Sequence, residues 1–343
     1  MAARLALGLV GAGRIGAVHA RTLLALDEVA SLTIADADPV RARQVASELG
    51  AGAAETPEVL VETGIDALVI AAATSGHAPL LRLAAQAGLP AFCEKPVALD
   101  LQTMDAVREE VARAGTLVQV GFQRRFDTGY EAARQAVATG GVGKILAMRA
   151  ATHDPVSPPA DYIAASGGIF CDLHIHDFDA VRFVSGEEIT QVYADGVALD
   201  APWAGELDDV DVSAAVLRLS GGGLVIVSGT RRDPLGYDVR LEVFGTSDSI
   251  AVGQDARSPL RSVEPGATSP QAPYRDFWDR FEPAYRKELT AFVESVRTGG
   301  PSPCPLDDAR AALAVALAAE QSRAERRPVP IEQVGLAQAP PNG

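Results

Sequence analysis

Residues 5–36 read LALGLVGAGRIGAVHARTLLALDEVASLTIAD, and this stretch decides the fold. Leu5 to Val10 is a short apolar run of the kind a strand buried on both faces requires. Gly11, Gly13 and Gly16 follow at G-x-G-x-x-G spacing. The first glycine permits a tight turn, the second lets the backbone approach a pyrophosphate, and the third lets a helix pack closely on the strand. A helix opening at Arg14 and Ile15 aims its unsatisfied N–H groups and its dipole at phosphate oxygens. Leu32 to Ala35 reads as the second strand, and Asp36 ends it about 20 residues beyond the glycines. A carboxylate there accepts hydrogen bonds from both ribose hydroxyls and repels a 2′-phosphate, which favours NAD over NADP. Arg41 or Arg43 could in principle reach a 2′-phosphate. Two blander readings compete: a glycine-rich turn in some other α/β protein, and a secretory signal, since MAARLALGLV starts with a charge and turns apolar. The strand, helix and acid in place argue against the first. Arg14, His19 and Arg21 interrupt the apolar run too early for the second.

The rest of the chain bounds the answer. At 343 residues it is long for a single core, so two domains are expected. A net charge of -15 argues against nucleic acid or an anionic membrane as partner. No apolar run approaches the roughly 20 residues of a membrane span. Cys93, Cys171 and Cys304 are scattered and odd in number, which suggests a reducing, cytoplasmic setting without a disulfide framework.

After Asp36 the strand–helix alternation continues. Pro39 to Leu49 is a helix stopped by Gly50, and Thr56-Pro57-Glu58 looks like a cap, a first-turn proline and an acid at the positive end of a dipole. Asp66 to Ala72 is another buried strand. Thr74 and His77 follow it, where open α/β sheets bind ligands, so both are candidates for the cofactor rim. The alternative is that Thr74 or Ser75 merely caps the helix. Pro90 to Cys93 is a strand ending in Glu94-Lys95-Pro96. Proline forces Lys95 into extended geometry at the carboxyl edge of the sheet, beside the expected nicotinamide. Asp100 caps a helix to Ala114, and Leu117 to Phe122 is a sixth strand. A dinucleotide-binding Rossmann domain over 1–122 is expected.

From residue 123 the character changes. Strand patterns at Lys144–Thr152, Ile189–Val197, Val210–Leu219, Leu224–Thr230 and Val239–Phe244 follow one another, with Gly221-Gly222-Gly223 making a hairpin turn. The expectation is an α+β domain over 123–335 with a large, open, mostly antiparallel sheet of six strands. Ser258 to Pro273 reads as a loop, two helices close the domain, and 336–343 is a tail. One helix-sized segment, SGGIFCDLHIHDFDAVRFV from Ser166 to Val184, interrupts the strands. As a helix it sets Asp172 and His176 one turn apart on one face, and a carboxylate beside an imidazole suits a general base. As a strand it points Asp172, His174 and His176 to one side, a plausible metal array. Its length and apolar set favour the helix.

GAGRIG, the acidic IADAD, Glu94-Lys95-Pro96, VGFQRRFD at 120–127, HDP at 153–155, SGGIF at 166–170, IHDFD at 175–179 and GYDVRLEVFG at 236–245 together resemble the glucose–fructose oxidoreductase / inositol dehydrogenase (Gfo/Idh/MocA) family, and most nearly its inositol branch. The resemblance covers nearly the whole chain. It implies a helix over 167–184 that packs toward the nicotinamide, with Lys95, Asp172 and His176 as the catalytic group. Cofactor contacts are then expected from Gly11, Gly13, Arg14, Ile15, Gly16, Asp36, Thr74, His77, Glu94, Lys95 and Gln123. Substrate hydroxyls are expected to meet Lys95, Arg124, His153, Asp154, Asp172, Leu173, His176, Tyr237 and Tyr285. The family is generally oligomeric, a dimer or tetramer joined through the open sheet. Where its inositol members read D-M-T-I-H-D, this chain reads Asp172-Leu173-His174-Ile175-His176-Asp177. Leu173 is taken to replace a threonine able to touch a substrate hydroxyl. Thr230-Arg231-Arg232 also departs from the usual stretch.

The implied reaction is NAD-dependent oxidation of a secondary hydroxyl of a cyclic polyol, foremost myo-inositol to 2-keto-inositol, without a metal. Rivals are the same chemistry on a sugar, an anhydrosugar, scyllo-inositol or an aminocyclitol. More distant are a metal-dependent isomerase or hydrolase and a non-catalytic NAD sensor.

Overall fold

The computed structural model describes residues 4–201 and 205–334. The chain divides into two compact units: the described residues up to Phe126 with Pro283–Arg310, and Asp127–Glu282 with the described residues from Ala311.

The first unit is a parallel sheet of six strands, β1 (Leu5–Val10), β2 (Val29–Ala35), β3 (Gly52–Ala53), β4 (Ala67–Ile70), β5 (Ala91–Glu94) and β6 (Val118–Gly121), in the order β3-β2-β1-β4-β5-β6. Chain direction across the sheet reverses between β1 and β4, the switch point at which such sheets bind dinucleotides. Helices α1 (Arg14–Leu24), α2 (Pro39–Leu49), α3 (Pro57–Glu62), α4 (Thr74–Gln86) and α5 (Leu101–Ala114) connect the strands. Their ends follow from the sequence. Asp38, Thr56 and Asp100 accept backbone N–H bonds at the starts of α2, α3 and α5, and left-handed Gly50 and Gly115 end α2 and α5. At α4 the cap is Ala73, with no side-chain hydrogen bond, so neither Thr74 nor Ser75 serves there. Leu7, Leu9, Ile34, Val69 and Phe92 form the core.

The second unit is built on seven strands: β7 (Ile145–His153), β8 (Ile189–Val197), β9 (Val212–Leu219), β10 (Leu224–Thr230), β11 (Asp238–Gly245), β12 (Ser249–Val252) and β13 (Val329–Pro330). Their order is β12-β11-β7-β10-β9-β8-β13. Five of these, β7 to β11, answer to the strand patterns of the sequence, against an expected sheet of six; β12 and β13 are too short to carry a pattern of their own. All pairings are antiparallel except β7 with β10, which is parallel. Helix α6 (Thr128–Ala138) packs on α8 (Ile175–Ser185), and α8 packs on β7. Between β7 and α8 lie α7 (Ala160–Ser166) and one wide π-helical turn, Phe170–His174. The opposite face of the sheet is open: Tyr193, Val216 and Ile226 share one register row with Arg149 and Glu242, and all three apolar side chains are exposed.

The expected single boundary near 122 needs correction. The helix Phe277–Thr298 sends Leu289, Phe292 and Val293 into the first unit's core. The Gln119 amide donates to the Glu288 carbonyl at 3.0 Å, and the Val120 N–H to that of Cys304 at 2.8 Å. An amphipathic helix signals in sequence that it has an apolar face, not which core that face fills. The tail expected at 336–343 lies outside the described residues.

Candidate active site

The glycine turn of the first unit has the sterics its spacing implies. Gly11 has φ +103°, and a Cβ there would lie 2.4 Å from the Ala71 backbone. A Cβ on Gly16 would lie 1.8 Å from the Gly11 carbonyl oxygen, so only glycine lets α1 close on β1. Gly13, at the helix cap, has nothing within 4 Å of its Cβ position, the open approach a pyrophosphate needs. Arg14 is exposed and Ile15 half-buried at the helix start. Asp36 follows β2, 6% exposed. It accepts the Ala12 N–H at 2.6 Å and the Asp38 N–H at 2.8 Å, with Arg41 Nη1 3.4 Å away. Arg43 instead pairs with Glu55. The residues fit a dinucleotide whose ribose faces a buried carboxylate.

Lys95 is half-buried after β5, preceding a cis proline. Its surroundings hold chemistry that the sequence did not reveal. Glu94 accepts the Lys95 N–H on one oxygen (3.3 Å) and faces His19 Nε2 with the other (2.7 Å). His19 is fully buried on α1 between Phe92 and Tyr285. Glu94 thus ties the glycine helix to the lysine strand end. His77 does not present itself to a cofactor rim. It is buried, with Nδ1 2.7 Å from the Pro96 carbonyl oxygen and Nε2 3.0 Å from that of Ala72, a brace for the turn that carries Lys95. Burial holds its imidazole below the usual 6.5, against the pull of those two carbonyls. Thr74 is half-buried at the first turn of α4. Gln123 and Arg124 are buried in a short 3₁₀ turn, and Tyr285 is buried against His19.

In the second unit, left-handed Gly167 and Gly168 turn the chain from α7 into the π turn. From Ile169 to Val181 every residue is buried except Asp172 and His176. Asp172 Oδ1 accepts the Tyr162 hydroxyl at 2.9 Å, and Oδ2 accepts Arg231 Nη1 at 3.0 Å. His174 belongs to a different network. Its Nδ1 is 2.8 Å from Asp177, its Nε2 is 2.7 Å from Ser213, and Asp177 also accepts the Thr152 hydroxyl. Both its nitrogens are engaged in the core, so the Asp172–His174–His176 metal array does not form. Leu173 is corrected too. It is 6% exposed and packs on β10, within 2.8 Å of a Cβ built on Gly229. Letter by letter it answers the methionine of D-M-T-I-H-D, and His174 answers the threonine.

His153 ends β7 with Nδ1 3.3 Å from Asp238, and Asp154 continues it, donating its N–H to the Thr230 carbonyl. Burial raises the Asp238 carboxyl, but hydrogen bonds from His153 and Arg240 outweigh it and hold the group below the usual range. His153, Asp233 and Asp238 could offer ligand atoms to a cation, yet Arg240 Nε and Nη2 already occupy both oxygens of Asp238. Tyr237 is buried edge-on to Phe281.

A parallel sheet with a glycine turn at its switch point and an acid at the end of the second strand defines the class: a dinucleotide-dependent oxidoreductase. The profile described as "Oxidoreductase family, NAD-binding Rossmann fold" matches residues 5–122, and the GFO/IDH/MocA C-terminal domain matches residues 130–251. The chain belongs to this family, and its cofactor is NAD. It is 35% identical to a myo-inositol 2-dehydrogenase of Thermotoga maritima over 96% of this chain and 99% of that one. It is 40% identical to the myo-inositol dehydrogenase Hyg17 of Streptomyces leeuwenhoekii, over 92% and 96%. The solved scyllo-inositol dehydrogenase of Lactobacillus casei, with NAD(H) and scyllo-inositol bound, superposes with a TM-score of 0.88 at 28% identity, covering 96% of this chain and 99% of that one.

Proposed function

We propose that the protein oxidises a secondary hydroxyl of a cyclic polyol, with myo-inositol the foremost substrate and 2-keto-inositol the product. The observation that carries this reading is the run Ile169–Val181, which buries everything except one carboxylate and one imidazole. The substrates named for the relatives supply the polyol. NAD, when bound, supplies the hydride acceptor. Gly11, Gly13, Gly16 and Asp36 hold it. His176 takes the hydroxyl proton, and Asp172 orients the imidazole and stabilises its charge. Lys95 donates a hydrogen bond to the reacting oxygen and stabilises the developing alkoxide. Alcohol oxidation releases a proton, so the rate is expected to rise from pH 7 to 9. A flat or falling profile there counts against His176 as base.

The test is NADH formation with purified protein and a panel of myo-inositol, scyllo-inositol, D-chiro-inositol, glucose and xylose. Turnover of an inositol, abolished in Lys95→Ala and His176→Ala, supports reaction and roles together. Turnover of a sugar alone moves the substrate and keeps the mechanism. No turnover with NAD still bound favours an unusual cyclitol or a sensor.

We also place the enzyme in the cytoplasm as a homo-oligomer, a dimer or tetramer. The cysteines are scattered and buried. The open sheet face, with Tyr193, Val216 and Ile226 exposed in one row, is apolar surface that a second copy of the chain would cover.

A further inference from the structure

We propose that Arg231 and Tyr162 are positioning residues for the reaction, acting through Asp172, with Asp209 as the anchor of the arginine. This rests on the catalytic reading of Asp172 given above.

Arg231 follows β10 and is 0% exposed. A guanidinium is almost never fully buried unless paired, and well-packed apolar residues usually serve stability as well as a buried ion pair does. Its presence therefore asks for a use. One terminal nitrogen reaches Asp172 Oδ2 at 3.0 Å, and the other reaches Asp209 Oδ2 at 3.3 Å. Asp209 Oδ1 accepts the Ile169 N–H at 2.9 Å, at the head of the buried run. One carboxylate thus fixes both the arginine and the start of the segment that carries Asp172 and His176. The glycine pair makes room for it, since a Cβ on Gly168 would lie 3.3 Å from Asp209 Oδ1. The Tyr162 hydroxyl completes the hold on Asp172 Oδ1 at 2.9 Å. Its ring is exposed, but protein around its hydroxyl, together with the Asp172 charge and hydrogen bond, pushes the phenol well above its usual pKa. It remains a donor at every working pH.

The arrangement matters because Asp172 and Asp209 share one cation. Without Arg231 the two carboxylates would face each other with no cation between them and would repel. With it, Asp172 has a cation beside it and a donor from outside its own helix on each oxygen, which limits its rotamers. An ionised, fixed carboxylate is what an imidazole base requires as its partner. Among the described residues, the charged and titratable groups near Asp172 include Arg231 from the end of β10, Asp209 from the segment before β9, Tyr162 from α7, Asp154 after β7 through Tyr162, and His176 one turn further along the chain.

The experiment compares the pH dependence of kcat, the KM for polyol and the thermal midpoint in Tyr162→Phe, Arg231→Lys, Arg231→Gln and Asp172→Asn. Tyr162→Phe changes one exposed residue and should leave the midpoint almost unmoved. We expect kcat to fall about tenfold with little change in KM, and the acid limb of the profile to move to higher pH, because each lost donor makes Asp172 and the imidazole more basic. Arg231→Gln should move the limb further, by about one pH unit or more, and Arg231→Lys should restore most of it. A lowered midpoint with an unmoved acid limb in Tyr162→Phe and Arg231→Lys overturns the proposal, and those two variants decide it if Arg231→Gln fails to fold. Asp172→Asn separates the two levels. Activity within threefold of wild type there removes the catalytic reading and this proposal with it. A loss above a hundredfold beside unmoved limbs in the other variants leaves that reading intact and removes the proposal alone.

Discussion

Replacing Asp36 by alanine separates its two duties by magnitude. The carboxylate is buried and accepts two backbone N–H groups, from Ala12 at 2.6 Å and Asp38 at 2.8 Å. Leaving those donors without an acceptor costs about 1–3 kcal/mol each, so stability should drop by about 2–6 kcal/mol. If the carboxylate holds both ribose hydroxyls as proposed, the variant loses two charge-assisted bonds on the cofactor side, each worth about 1.5–3 kcal/mol. The KM for NAD should therefore rise at least about a hundredfold. For NADP that loss is offset. The carboxylate that repels a 2′-phosphate is gone, and Arg41, half-exposed and 3.4 Å from Asp36, is released toward the space it leaves. The ratio of kcat/KM for NAD to that for NADP should fall by about a thousandfold, equivalent to about 4 kcal/mol. Initial rates with each cofactor, beside urea unfolding, measure both effects. Adding Arg41→Ala should cancel the gain with NADP. If NAD kinetics stay within threefold of wild type while stability falls, Asp36 serves only the glycine turn and the argument for NAD from that residue is wrong.

Further outcomes follow from the same contacts. In Glu94→Gln a single amide oxygen cannot accept from both His19 and the Lys95 N–H. Urea unfolding should show a loss of about 1–3 kcal/mol, and kcat should fall with it as Lys95 loses its setting; wild-type values for both would dissociate Glu94 from the lysine. His77 is held below 6.5 in the folded state, so its contribution is complete above 6.5 and is lost as pH falls from there through the folded value. The slope from this residue is at most about 1.4 kcal/mol per pH unit, and His77→Asn should flatten the acid side of the urea midpoint curve; an unchanged slope assigns acid sensitivity elsewhere. Ile226→Glu places a charge at the centre of the open sheet face and should shift sedimentation toward the monomer, whereas an unchanged distribution would direct attention to another surface.

The first unit was legible because each of its signals is local. Gly11, Gly13 and Gly16 answer to sterics within a few residues, and Asp36 to the end of one strand. The cap at Ala73 and the role of His77 were not legible, because both depend on what lies across the sheet. A histidine after a strand has the same letters whether it faces a ligand or two backbone carbonyls. The same limit hid the pairing of β7 with β10. Consecutive strand patterns suggest antiparallel neighbours, and nothing in the letters marks the one parallel join.

His174 and His176 show where the limit lies in the second unit. They are two residues apart, each lies within two residues of an aspartate, and a strand would point them the same way. Burial separates them. His174 turns inward, where Asp177 and Ser213 take its two nitrogens, while His176 keeps partial exposure with Asp172. The wide turn at Phe170–His174 is where this sorting happens, and π turns often mark functional positions. Arg231 fits the same logic. In sequence it is one of two adjacent arginines after a strand. In the fold Arg232 is solvent-exposed and pairs with Asp200, while Arg231 has no exposure and holds Asp172. A charge that the chain buries completely, against the usual cost of desolvation, and then points at the one acid left open on the adjoining helix is better explained by the chemistry of that acid than by the stability of the fold.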